Sequence, residues 1–286
     1  MNLPAILEES SWKVLGHRRI GREALRALHA ELVLYPKPGL VSPMDSGSHQ
    51  DMDAVTFLRS LFSLRSYFGD IAAAAAADAP FPRLQELGRA AEVRMLKATG
   101  DVNTHRGAIF TLGLLAAAAA YLEGQGRPLS DRAMGETVRE RWGGALRGEG
   151  GSAVRSSHGA LAARCYGAGG ARAEAAAGFP LLFDVALPTL RSTLAITGSP
   201  RCSLVQTLFA LMASLEDTNL LYRGGPGGLA FVRGSAGRFL ASGGVLAPDW
   251  EGTAIAIHRA FIARRLSPGG SADLLAATWF VHRLPR

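Results

Sequence analysis

The sequence predicts an all-α protein, a single compact multi-helix domain spanning residues 1–286 with two largely buried central helices. Three observations predict it. Sustained apolar/polar alternation and Asn-Gly or Asp-Gly hairpin turns are missing, so strands have no signal. Helix-length apolar stretches recur instead, separated by Gly/Pro loops. With 48% hydrophobic and 19% charged residues over 286 positions, the chain has material for a large core and is not disordered.

The elements follow in order. A first helix over Gly16–Leu34 is closed by Pro36. Ser48 and Asp51, spaced like a capping box, start a second over His49–Tyr67. Arg83–Ala98 is one-sided. Thr104–Leu122, capped by Asn103 or Thr104, is apolar nearly all round from Ala108 and therefore central. Asp131–Leu146, Val154–Cys165 and Phe179–Ile196 come next. Leu204–Thr218 is the second apolar helix, and Leu229–Ala241 follows a glycine loop at Gly224–Gly228. Asp249–Arg265 precedes Ser271–Val281, which opens with a Ser cap and Asp273 in its first turn. The Gly-rich stretch Gly148–Ser152 reads as a loop rather than a domain boundary.

Several function classes are excluded or weakened. The longest apolar run, Gly107–Leu122, is about 16 residues against the roughly 20 a bilayer span needs. No signal peptide is recognisable, so a cytoplasmic protein is expected. Two cysteines without a CxxC suggest neither a disulfide framework nor a cysteine zinc site. The net charge of +7 would fit nucleic acid, but only three of 31 basic residues are lysine and the arginines are scattered. A small anionic ligand fits equally well. GxGxxA matches at Gly148–Ala153 and Gly225–Ala230 lack the preceding strand a dinucleotide site requires. There is no P-loop, HExxH or GxSxG.

Polar residues nevertheless gather at helix ends. Lys37 and His49 stand in a loop whose Asp51 and Asp53 capping explains, although capping leaves Lys37 and His49 unaccounted for. Asn103, His105 and Arg106 mark the mouth of the most apolar helix, where free N–H groups make an anion site. Glu216 and Asp217 read as the C-terminal end of a helix, against its negative dipole, and call for a compensating cation: Mg²⁺ or Arg223. Asp217-x-Asn219 before a glycine loop suits a hard metal beside phosphates. Asp273 follows a Pro-Gly-Gly run, and Arg172 and Glu174 sit in a further glycine-rich loop.

The ordered segments Lys37-Pro38-Gly39-Leu40-Val41, Gly47-Ser48-His49-Gln50-Asp51-Met52, Val102-Asn103-Thr104-His105-Arg106-Gly107, Asp217-Thr218-Asn219, Arg223-Gly224-Gly225 and Ser267–Leu275 resemble the triphosphoribosyl-dephospho-CoA synthase family. Ser46-Gly47-Ser48-His49 is more similar to its malonate decarboxylase branch than to its citrate lyase branch. The sequence departs from the citrate lyase type at Gln50, Arg106, Glu216 and Ala176, the last replacing a carboxylate.

The resemblance implies transfer of the 5-triphosphoribosyl group of ATP to the ribose 2′-hydroxyl of 3′-dephospho-CoA, with release of adenine. A separate transferase would pass the product to a carrier protein. No nucleic acid or membrane partner is expected, and a homodimer is allowed. The bond broken is C1′–N9, through an oxocarbenium-like transition state. Lys37, Arg106, Arg223 and the loop from Gly224 and Gly225 would clamp the triphosphate, with Asn103 and Arg172 also binding nucleotide. Asp51, Asp217, Asn219 and Asp273 would hold Mg²⁺. His49, His105 and Glu174 are the candidates for the acid–base and charge-balancing roles. Two rival readings use the same residues or charge: an all-α Mg²⁺-dependent nucleotide or ADP-ribosyl hydrolase, and an Arg-rich nucleic-acid-binding protein.

Overall fold

The structure, a computed structural model, describes residues 3–148 and 165–284, with side chains from residue 16 onward. Among the described residues there is no strand. The helices are α1 (Leu3–Val33), α2 (Ala54–Ser63), α3 (Tyr67–Ala76), α4 (Phe81–Thr99), α5 (Arg106–Gly124) and α6 (Asp131–Arg147). After them come α7 (Gly170–Ala176), α8 (Leu187–Thr197), α9 (Pro200–Ser214), α10 (Thr218–Ala241), α11 (Trp250–Ala263) and α12 (Gly269–Arg283). A π-helical turn, Leu181–Ala186, leads directly into α8.

The two apolar helices are central, as expected. α5 buries Ala108, Ile109, Leu112 and Ala116–Ala120 between α1, α3, α6 and α12. α9 buries Leu204, Val205, Leu208, Phe209 and Leu211 against α8, α10 and α12. Each such leucine or phenylalanine contributes about 1.5–3 kcal/mol. Although α5 is long and apolar enough to cross a membrane, most of it is covered by these neighbours.

Several boundaries differ for local reasons. The stretch expected as one helix over His49–Tyr67 is a loop, then α2, then α3. Asp53 is the cap that starts α2: its carboxylate accepts from Thr56 N at 2.8 Å, displacing Ser48 and Asp51 from that role. The break at Leu64–Ser66 re-aims α3, so that Phe68, Ile71 and Ala72 pack on α5. The glycine-rich loop at Gly167–Phe179 contains α7. The glycine loop Gly224–Gly228 lies inside α10, which bends at Gly225; its φ of 59° is a conformation glycine reaches without penalty. Pro226–Ala230 after the bend is helical, and among the described residues no strand precedes it as a dinucleotide fold requires. The expected helix over Val154–Cys165 and the motif at Gly148–Ala153 fall almost wholly outside the described residues.

Candidate active site

One cleft of about 1810 Å³ runs between the N-terminal ends of α5, α10 and α12, the loop after α1, and the α7 segment. Its walls include Lys37, His49, Asp51, Asn103, His105, Arg106, Arg172, Glu174, Asp217, Asn219, Arg223 and Asp273. Residues spread over more than 230 positions therefore meet in one place.

The floor is acidic and buried. Asp217 caps α10: Oδ1 accepts from Asn219 N and Oδ2 from Ser271 N, both at 3.0 Å. The sequence reading of a helix C-terminus at Glu216 and Asp217 is corrected here. α9 ends at Ser214, so Asp217 stands at the favourable positive end of the next helix. Its carboxylate ties the starts of α10 and α12 together. Asp273, from α12, accepts from Ala108 N and so occupies the α5 terminus that the sequence had offered to a ligand anion. Burial raises both carboxyls above their ordinary range. For Asp273 the rise is large, since Glu31 and Asp217 add their charge to the effect of burial.

Lys37 is 1% exposed and donates to Glu31 O at 2.8 Å and Glu31 Oε1 at 2.6 Å. Burial lowers its pKa, and Glu31 opposes that shift. Two of its three ammonium protons are therefore committed, leaving one for the cleft. The loop carrying it is clamped from α11 by His258, whose Nδ1 accepts from Gly39 N at 3.1 Å while Nε2 faces the Asp45 carboxylate at 3.0 Å.

His49 is held by a relay. Its Nε2 lies 2.9 Å from Ser267 Oγ, its Nδ1 3.1 Å from the Arg223 guanidinium and 3.5 Å from Asp51. Arg223 can only donate, so Nδ1 is the acceptor and Nε2–H points to Ser267. Burial, then Arg223, lowers the His49 pKa, so the ring is neutral near pH 7. His105 is 2% exposed, with Nδ1 2.6 Å from Ser60 Oγ, and its pKa is pushed down to about 3, chiefly by burial and then by Lys37.

Glu174 accepts from Leu181 N at 2.6 Å and caps the π-helical turn; burial, then Asp184, raises its pKa. Arg106 faces Glu92 at 3.4 Å, while Asn103 Oδ1 accepts from Arg106 N at 3.2 Å. Arg172 is on the exposed rim.

Two expectations are not met. Gly224 and Gly225 are not in the cleft wall: Gly225 makes the bend, and Gly224 lets α10 approach Leu266, whose Cδ2 would stand 2.6 Å from an added Cβ. The four expected metal ligands also do not converge. Among the described residues no group of three His, Cys, Asp or Glu side chains is placed to hold an ion. Asp51 is drawn away to His49 and Arg223. What remains fits Mg²⁺ nonetheless. That ion favours one or two carboxylates completed by phosphates and water. Asp217 and Asp273, with Lys37 already paired to Glu31, are two buried carboxyls whose raised pKa values a bound cation would bring down again. Ala176, the lost carboxylate position, is buried where α7 meets α6 and is not in the cleft wall.

Sequence reasoning missed Glu31, Ser60, Glu92 and His258, and gave Ser267, inside one of the matching segments, no role of its own. Each lies in an ordinary helical or loop context and gains meaning only from its partner in space.

Residues 17–286 match the profile of the family described as ATP:dephospho-CoA triphosphoribosyl transferase. The 2-(5″-triphosphoribosyl)-3′-dephosphocoenzyme-A synthase of Klebsiella pneumoniae is 42% identical over 91% of this chain and 89% of its own. That of Pectobacterium atrosepticum is 39% identical over 93% and 89%, and a probable one from Acinetobacter calcoaceticus is 39% identical over 93% and 91%. No solved structure matches. The chain therefore belongs to the ATP:dephospho-CoA triphosphoribosyl transferase family.

Proposed function

We propose that this enzyme transfers the 5-triphosphoribosyl group of ATP to the 2′-hydroxyl of 3′-dephospho-CoA, releasing adenine. The observation that carries the reading is a large cleft on which the family's separated segments converge. Drug-sized ligands occupy about 300–1,000 Å³, so this cleft has room for two nucleotides.

The roles divide by chemistry. Asp217, Asp273 and Asn219 would hold Mg²⁺, which supplies positive charge and Lewis acidity to the triphosphate oxygens. Arg223, Arg106 and the remaining Lys37 donor bind the triphosphate, and Arg172 and Asn103 bind nucleotide at the rim. When Arg223 turns to phosphate, His49 Nδ1 is released toward Asp51. Nδ1, the unprotonated nitrogen, then accepts the acceptor's 2′-hydroxyl proton, with Asp51 balancing the imidazolium and Nε2–H kept on Ser267. The 2′-oxygen bonds to C1′ as the C1′–N9 bond breaks, and its electron pair leaves with adenine. Glu174 balances positive charge building at C1′. The apolar walls keep water from C1′, where its attack would yield ribose triphosphate instead.

The Ser46–His49 segment supports the malonate decarboxylase branch. The product would pass to a separate transferase serving a carrier protein, in the cytoplasm. Product mass spectrometry with ATP, dephospho-CoA and Mg²⁺ tests the reading. Adenine formed only when dephospho-CoA is present, beside a triphosphoribosyl adduct, is the expected result. Adenine formed without the acceptor would make the enzyme a hydrolase.

A further inference from the structure

At the entrance to α5 two consecutive residues carry buried polar side-chain atoms that lack a partner among the described residues, Thr104 Oγ1 and His105 Nε2; beside them Arg106 Nε makes no hydrogen bond but faces Glu92 Oε2 at 3.4 Å. All three residues line the cleft. A buried polar group without a partner costs about 1–3 kcal/mol, so two in a row mark a surface that a ligand completes.

Ser60 is 0% exposed, and the partner its hydroxyl has is His105 Nδ1 at 2.6 Å. With the ring proton on Nδ1, the serine proton would be buried without an acceptor. The satisfied arrangement has Ser60 O–H donating to Nδ1, which leaves the ring proton on Nε2, facing the cleft. Phe57 holds the ring edge-on at 4.9 Å. At Thr104 and His105 the wall carries no charge, since His105 is neutral; the charge lies next door on Arg106, whose Nε faces Glu92 at 3.4 Å and whose terminal nitrogens are the ones assigned to the triphosphate. The uncharged stretch suits an uncharged acceptor ring better than a phosphate. Adenine presents an N7 acceptor beside an N6 donor, matching His105 Nε2–H and the acceptor capacity of Thr104 Oγ1.

We infer that the Thr104–His105 wall receives an adenine ring, that of the donor ATP, with His105 Nε2–H donating to N7 of the departing base. This rests on the transferase reading. ATP is favoured over dephospho-CoA as the source because the wall adjoins Gly107, which lies against Asp273, on the side assigned to the triphosphate. When C1′–N9 breaks, the electron pair moves onto the base and the N7 hydrogen bond strengthens; a neutral imidazole N–H is competent for this. His105 keeps its proton. Adenine gains its N9 proton from water, balancing the one that the acceptor hydroxyl gives to His49. His105 is thus a leaving-group donor, and Ser60 a positioning residue that fixes its tautomer.

The test is calorimetric binding of ATP and of 7-deaza-ATP, with turnover of ATP measured alongside. The native enzyme should bind 7-deaza-ATP about 5–10-fold more weakly, one hydrogen bond's worth. His105→Leu should bind both equally and lose about 10²–10³-fold in kcat on ATP. Ser60→Ala should lose most of the discrimination and Ser60→Thr keep it, which a merely structural serine would not do. Equal binding of the two nucleotides by the native enzyme, or discrimination that survives in a folded His105→Leu variant, overturns the inference. So does discrimination found only with 7-deaza-adenosine in the acceptor. If the native enzyme makes no triphosphoribosyl adduct from ATP and dephospho-CoA, the transferase reading itself has failed.

Discussion

Gly107 and Asp273 are in contact so close that a side chain on the first would displace the second: a Cβ built on Gly107 would stand 1.9 Å from Asp273 Oδ2. The contact joins the first turn of α5 to the first turn of α12, where Asp273 accepts from Ala108 N. It explains why glycine, a poor helix former, occupies the second residue of this buried central helix. Gly107→Ala should push Asp273 aside and lower kcat by at least about 10²-fold, since misplacement of about 1 Å costs that much. Thermal unfolding and kcat measured together check it; full activity would remove Asp273 from the site.

Asp273 should also separate stability from activity. Its buried carboxylate is repelled by Glu31 and Asp217. Asp273→Asn keeps an acceptor for Ala108 N and removes a charge, so the metal-free variant should unfold at the same temperature or higher. Mg²⁺ bound as proposed should stabilise the native protein by RT ln(1 + [Mg²⁺]/Kd), about 2.7 kcal/mol at one hundred times its dissociation constant. That increment should shrink in the variant, and turnover should fall with it. Melting curves with EDTA and with Mg²⁺ report both effects.

Lys37 and Glu31 are a buried pair, 1% and 6% exposed. Lys37→Met leaves an unpaired buried carboxylate and should cost about 3–5 kcal/mol. Adding Glu31→Gln should recover much of the loss of stability without restoring ATP affinity. Urea unfolding of the single and double variants, with the KM for ATP, distinguishes the structural share of Lys37 from its share in binding.

His105 gives stability a definite pH dependence. Its pKa lies near 3 in the folded protein against an ordinary value of 6.5. Between those values the unfolded chain binds a proton that the folded ring refuses. The contribution is intact above 6.5 and is lost as pH falls toward 3. Unfolding free energies at about pH 7 and about pH 5 should differ less for His105→Gln than for the native protein. Identical slopes would show that the ring is solvated.

The sequence by itself determined the helical class, the two central helices and the clustering of chemistry at helix ends. Apolar periodicity and glycine punctuation are local properties, written within a few turns of chain. The resemblance carried by Lys37, His49, Asn103, Asp217 and Asp273 was local too. What needed the third dimension was pairing. Asp217 looked misplaced because the end of α9 at Ser214 is set by where α10 packs, not by propensity. Lys37 looked like a free phosphate ligand until Glu31, one and a half turns earlier, closed on it. Ser60 carries no signal in sequence, and only the packing of α2 beside the start of α5 sets its hydroxyl against His105. Burial and partner distance decide which charge is spent on structure and which remains for substrate. Both are properties of the folded whole.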